Sequence, residues 1–62
     1  MKAEDFLGLN KKDAQNKADR YNFIFRLIRI DEKAFLSYPP DTREDRVCVE
    51  IDNGEITKAT LQ

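Results

Sequence analysis

The chain has 62 residues, 40% of them apolar and 37% charged, with 11 Lys and Arg against 12 Asp and Glu and a formal net charge of -1. That is one small domain with enough apolar content to fold, and it lacks the basic excess of a duplex nucleic-acid binder. There is no His and one Cys, which removes the commonest general base and metal ligand, an internal disulfide and a cysteine-rich zinc site. No apolar run approaches the roughly 20 residues of a membrane helix. Met1-Lys2-Ala3-Glu4-Asp5 reads as a cytosolic start, with no signal peptide. The expectation is a cytoplasmic, monomeric binding protein without metal or cofactor, not an enzyme and not a membrane protein.

Residues 1–9 read as an N-terminal arm. Asn10 is placed to cap a helix, because its side-chain oxygen can accept an orphan N–H of the first turn. Asp13 follows at the capping-box position and Leu9 at the staple position. A helix over 10–22 is expected, rich in helix formers and without Gly or Pro. Its apolar positions, Ala14, Ala18 and Tyr21, recur at i, i+4 and i+7. The small side chains suit close approach to a sheet. Lys11, Lys12, Lys17 and Arg20, offset by Asp13 and Asp19, read as a solvated face.

Residues 23–30 are aromatic and β-branched, which is a strand signal. Arg26 and Arg29 have opposite parity, so strict alternation fails, and one of them belongs near an end or a twist. Residues 31–45 read as a long loop. Ser37-Tyr38-Pro39-Pro40-Asp41 lacks two consecutive backbone donors and cannot be an internal strand or helix segment. Loops of this length in a compact domain are usually functional or disordered.

Residues 46–52 alternate, with Val47, Val49 and Ile51 on one face and Arg46, Cys48 and Glu50 on the other. Asn53-Gly54 is the pair a type I′ hairpin requires. Residues 55–61 read as the returning strand, with a looser pattern. The fold class is α+β: one helix on a small mixed sheet of three to four strands. The long loop links two parallel strands, because it is long enough for a crossover. A domain this short buries only about 60% of its unfolded surface. Its core is expected from Phe6, Leu7, Leu9, Ala14, Ala18, Tyr21, the strand from Phe23 to Ile30, Val47, Val49, Ile51, Ile56, Ala59 and Leu61.

One helix covers one face of the sheet, so the loop must cross the other. Arg46 lies on that second face. A guanidinium there can donate to loop carbonyls and to a carboxylate, and Asp41 is the nearest acceptor in sequence. The competing reading of Asp41, Arg43, Glu44, Asp45 and Arg46 is a solvated charge run. Tyr38, beside two prolines, reads equally as an exposed contact anchor or as a ring packed back on Phe35 or Leu36. Cys48 reads as a structural thiol. The carboxylate pairs Glu4/Asp5, Asp31/Glu32 and Glu44/Asp45 have no His or metal context that would make them catalytic.

The segment Asp41-Thr42-Arg43-Glu44-Asp45-Arg46-Val47-Cys48-Val49 resembles the D-x-R-x-x-R-V-x-V stretch of the potato inhibitor I family of serine-protease inhibitors, most closely its short bacterial members. Leu7-Gly8 before the helix, Ala14 within it, the strand Arg26-Leu27-Ile28-Arg29-Ile30-Asp31 and the closing Asp52-Asn53-Gly54-Glu55-Ile56 extend the resemblance over most of the chain. In that family an exposed loop enters a protease active site in the manner of a substrate. The resemblance implies a protein partner, a serine endopeptidase, and an attacked bond at Pro40-Asp41. It implies a contact loop of Ser37, Tyr38, Pro39, Pro40, Asp41 and Thr42, with Arg43 and Arg46 as loop supports. Two positions depart from the family pattern. Pro40 stands at the primary position and has no backbone N–H to donate. Cys48 stands where many members carry a further Arg. The alternative expectation is a cytosolic, non-inhibitory interaction module of the same fold, of phage or prophage origin.

Overall fold

The computed structural model describes residues 2–62. In chain order they form a 3-10 turn (Ala3–Phe6), one helix α1 (Lys11–Arg20) and four strands: β1 (Ile24–Ile30), β2 (Lys33–Ala34), β3 (Arg46–Asp52) and β4 (Glu55–Leu61). The sheet order is β2-β1-β3-β4. The β1–β3 pair is parallel and the other two are antiparallel. This is the expected α+β domain, with one helix on a mixed sheet and a crossover loop between parallel strands.

Asn10 caps α1 as its position predicts, accepting the Asp13 N–H at 2.8 Å. The helix ends at Arg20, two residues before the expected boundary. Asn22 takes a left-handed backbone with φ 61°. Its N–H reaches the Asp19 carbonyl at 3.2 Å, and the Phe23 N–H reaches the Ala18 carbonyl at 2.7 Å. This is a Schellman stop with Asn in place of the usual Gly. It leaves Tyr21 on the cap, 51% exposed, so Tyr21 is not the core residue its spacing suggested. Ala14 and Ala18 are fully buried on the sheet side.

The N-terminal arm is more structured than expected. Its 3-10 turn delivers Phe6 into the core, with its ring stacked 6.2 Å from that of Phe23. Two bonds tie the arm to β4: Gly8 N–H to the Ile56 carbonyl at 2.9 Å, and Ile56 N–H to the Leu9 carbonyl at 2.8 Å. Gly8 makes that approach at φ +83°, which a side chain would disfavour. Leu7 and Ile24 were expected in the core and are instead about half exposed.

The irregular strand patterns have one cause. The β1–β3 register slips between Leu27 and Arg29, so Ile28 is an extra residue. Phe25, Leu27 and Ile30 therefore share the helix side despite their mixed parity. Arg26, opposite Cys48, and Arg29, opposite Glu50, share the other side. A second slip in the β3–β4 pair makes Thr57 the extra residue and puts Ile56 on the same face as Ala59 and Leu61. The buried cluster of Phe6, Ala14, Ala18, Val47, Val49, Ile51 and Ile56 fills the helix side.

The segment over 31–45 is not wholly loop. Asp31, at φ 53°, turns the chain so that Lys33–Ala34 pairs back on Arg29 and Ile30. The connection without strand structure is therefore 35–45. The Asn53-Gly54 turn has φ 52° and 79°, the pair of positive values that a type I′ hairpin needs.

Candidate functional site

The crossover connection lies across the sheet face opposite α1. The bulge in β1 and the alternation of β3 give that face a charged lining: Arg26, Arg29, Arg46, Glu50 and Asp52, with Cys48 among them. Arg26, Arg46 and Glu50 bond the loop, and Arg29 links Glu50 to Asp52.

Arg26 donates from Nε and Nη2 to the Ser37 carbonyl, at 2.9 and 2.8 Å. Both N–H groups converge on one backbone oxygen. Tyr38 then lies over the sheet. Its hydroxyl donates to the Glu50 carboxylate, and the Lys58 ammonium sits 5.4 Å from its ring centroid. Partial burial and the neighbouring Glu50 charge push the Tyr38 hydroxyl up to about 12. Glu50 is held below its ordinary range by the Tyr38 hydroxyl and by Arg29. Arg29 donates to Glu50 at 2.9 Å, to both oxygens of Asp52 at 2.8 and 3.0 Å, and to the Asp31 carbonyl. Asp52, with Arg29 and the Thr57 hydroxyl as donors, is held down to about 2.

Past the tip, Arg46 carries the chain. Its Nη2 donates to the Asp41 carboxylate at 2.9 Å and to the Asp41 carbonyl at 3.2 Å. Its Nε donates to the Gln62 carbonyl at 2.6 Å. The Gln62 side-chain amide reaches back to the Pro39 carbonyl at 3.4 Å. One guanidinium therefore joins the loop, the start of β3 and the residue after β4. The Arg46 side chain is 12% exposed and that of Asp41 is 62% exposed, so the guanidinium is shielded while the carboxylate it holds still meets water. Asp41 is held below the usual carboxylate range, first by its bond to Arg46.

The six expected contact residues divide into two groups. Pro39 is buried and Tyr38 half-buried, and both face the sheet. Ser37, Pro40, Asp41 and Thr42 are exposed. Of the two expected supports, Arg46 reaches the loop and Arg43 does not. Arg43 closes a two-toothed pair with Asp45, at 2.8 Å on each oxygen. The reason is local. Two residues apart in a turn, Asp45 is nearer than any loop carbonyl, and its own backbone is fixed by the bond from the Ile24 N–H at 2.7 Å. Tyr38 took neither of its two expected positions, because Glu50 offers its hydroxyl a partner that Phe35 and Leu36 do not.

Sequence reasoning missed Arg26, Arg29, Glu50 and Gln62 as parts of the site. Glu50 was marked by alternation as facing the loop side. The two β1 arginines were hidden by a bulge that no local motif announces.

Cys48 is fully buried with Sγ 3.8 Å from the Gln62 carbonyl, and burial pushes its thiol up against the pull of Arg46 and Arg26. That is an inert environment for a thiol. A shallow concavity of about 400 Å³ runs along α1 between Leu9 and Tyr21. Its Lys17 is already engaged with the Asp5 carbonyl at 3.0 Å and the Phe6 ring. Among the described residues, no three His, Cys, Asp or Glu side chains gather to hold a metal ion. No helix among them is long and apolar enough to cross a membrane.

No family model matches the chain, and no curated protein or solved structure matches it. The geometry can hold an exposed tip at Pro40, Asp41 and Thr42 in one shape from beneath.

Proposed function

We propose that this protein is a serine-protease inhibitor that presents the loop 37–42 to its target in the manner of a substrate. The observation that carries the reading is the Arg46 brace. It fixes Asp41 by both carboxylate and carbonyl while Pro40, Asp41 and Thr42 stay exposed. A loop fixed before binding loses less entropy when it docks. A brace beyond the attacked bond also keeps a cleaved end in place to religate. The resemblance of residues 41–49 to the segment after the scissile bond in the potato inhibitor I family supports the same reading. The target supplies all the chemistry. The inhibitor acts as a cytoplasmic monomer and contributes shape alone.

A second reading is favoured by one observation. Pro40 has no N–H for the target's main chain to receive. A non-inhibitory, cytosolic interaction module would use the same rigid loop without needing that bond.

The test is residual activity against inhibitor concentration for a panel of serine endopeptidases that includes subtilisin-like and post-proline-cleaving enzymes. Stoichiometric inhibition, weakened by Arg46→Ala and accompanied by slow nicking at Pro40-Asp41, is the expected result. Full protease activity at large excess rejects inhibition and leaves the interaction module.

A further inference from the structure

We propose that Arg26 is the second positioning residue of the loop and holds the segment before Pro40 as Arg46 holds the segment after it. This rests on reading residues 37–42 as the contact loop.

Three observations carry it. The first is the geometry of the contact. Two N–H groups of one guanidinium converge on the Ser37 carbonyl at 2.9 and 2.8 Å. That arrangement fixes the position of the carbonyl oxygen with two charge-assisted bonds, which are shorter and stronger than neutral ones. The second is the register. Arg26 lies directly across from Cys48 in the parallel pair. Cys48 is small and fully buried, so nothing at that position stands between the Arg26 side chain and the loop that crosses above. The third is the bulge two residues on. The carbonyl of its extra residue, Ile28, receives the N–H groups of Phe35 and Leu36 at 2.8 and 3.3 Å, which anchors the chain just before Ser37, and the bulge turns Arg29 to the side that Arg26 already faces.

The two braces have complementary targets. Arg26 grips a backbone oxygen three residues before Pro40. Arg46 grips the residue immediately after it. Between them lie Pro39, which is buried, and the Pro40 ring, whose φ is fixed by its own chemistry. The four peptide units from Ser37 to Asp41 are therefore held at both ends.

The experiment compares amide hydrogen exchange in the wild type, Arg26→Ala and Arg26→Lys at neutral pH, alongside global stability from urea unfolding. In Arg26→Ala the Phe35 and Leu36 amides, which donate to the Ile28 carbonyl just before Ser37, are expected to exchange faster by about tenfold, the worth of one charge-assisted bond to a carbonyl. Val47 and Val49 are expected to keep their protection. Arg26→Lys retains the charge but lacks the second converging donor, so it is expected to keep wild-type global stability, as Arg26→Ala does, without restoring loop protection. Unchanged exchange at Phe35 and Leu36 in Arg26→Ala overturns the proposal. So does full rescue of loop protection by Lys, which would assign Arg26 a charge role only. If Arg26→Ala does not fold, Arg26→Lys alone decides between these outcomes. Protease inhibition is measured in parallel. Loss of loop protection in a protein whose wild type inhibits nothing in the panel overturns the inhibitor reading and leaves Arg26 as a positioning residue. Inhibition that is identical in wild type and both variants overturns Arg26 and leaves the inhibitor reading.

Discussion

The two faces of the sheet are built from the same three strands and are held by opposite means. The helix face is closed by apolar side chains that need only volume and proximity, and α1, Phe6 and the strands fill it without a buried polar group. The loop face has no such filling. Its covering segment contains two prolines and few apolar side chains, and it is secured by directional bonds from two arginines, Arg26 and Arg46, and by the Tyr38 hydroxyl. The first face resists unfolding of the whole domain. The second resists motion of one segment and adds little to global stability, because partly exposed ion pairs are weak. Stability and loop rigidity are thus separable properties of this chain, and variants on either face should sort accordingly.

The largest effect is expected on the helix face. Phe6→Ala removes a fully buried ring from a domain with little stability to spare and is expected to cost about 3 kcal/mol or more. Urea or thermal unfolding followed by circular dichroism measures it, and an unchanged midpoint would mean that the arm does not seal the core. A smaller effect is expected from Tyr38→Phe. It keeps the ring beneath Lys58 and removes the bond to Glu50, at a cost of about 1 kcal/mol. Loop exchange should rise more than global stability falls.

Titration sharpens the same contrast. Asp41, Glu50 and Asp52 are all held below their ordinary values of 3.8, 4.5 and 3.8. A lowered folded value means stabilisation that is complete above the unfolded value and is lost as pH falls through the folded one. The loop face is therefore expected to loosen as pH drops from 4.5 toward the Asp52 value of about 2. Tyr38 works in the other direction. Its value rises from 10.0 to about 12, so its contribution is present below pH 10 and is lost as pH climbs to about 12. Ultraviolet titration of a Tyr21→Phe variant isolates Tyr38, and ionisation at its ordinary value would break the assignment of the Glu50 bond. The smallest effect belongs to Arg43→Ala. Its partner is Asp45 and both side chains are about half exposed, so the melting temperature and loop exchange are expected to stay at wild-type values. A loosened loop in that variant would restore Arg43 as a support.

The helix cap at Asn10, the β3 alternation and the Asn53-Gly54 turn were legible because each depends on neighbours within a few residues. So was the crossover, since two consecutive prolines cannot lie inside a sheet. The end of α1 was less so, because Asn22 supplies its stop by a left-handed backbone that Asn tolerates without requiring. The site was half legible. Arg46 and Asp41 lie five residues apart, and strand parity set which way Arg46 points. Arg26 and Ser37, Tyr38 and Glu50, and Arg29 and Asp52 are joined only by folding.

Sequence alone determined that this is a small α+β domain without His, with one capped helix, a proline-rich crossover and a closing hairpin. Those features are encoded in composition, period and turn chemistry, which act over short range. Tertiary structure decided which arginines hold the loop. Two single-residue bulges shift the parity of β1 and β4, and one residue of slip moves every later side chain to the other face. That slip in β1 carries Arg29 to the loop side, where Arg26 already lies opposite Cys48, while Arg43, which local charge spacing favoured, pairs with its neighbour Asp45.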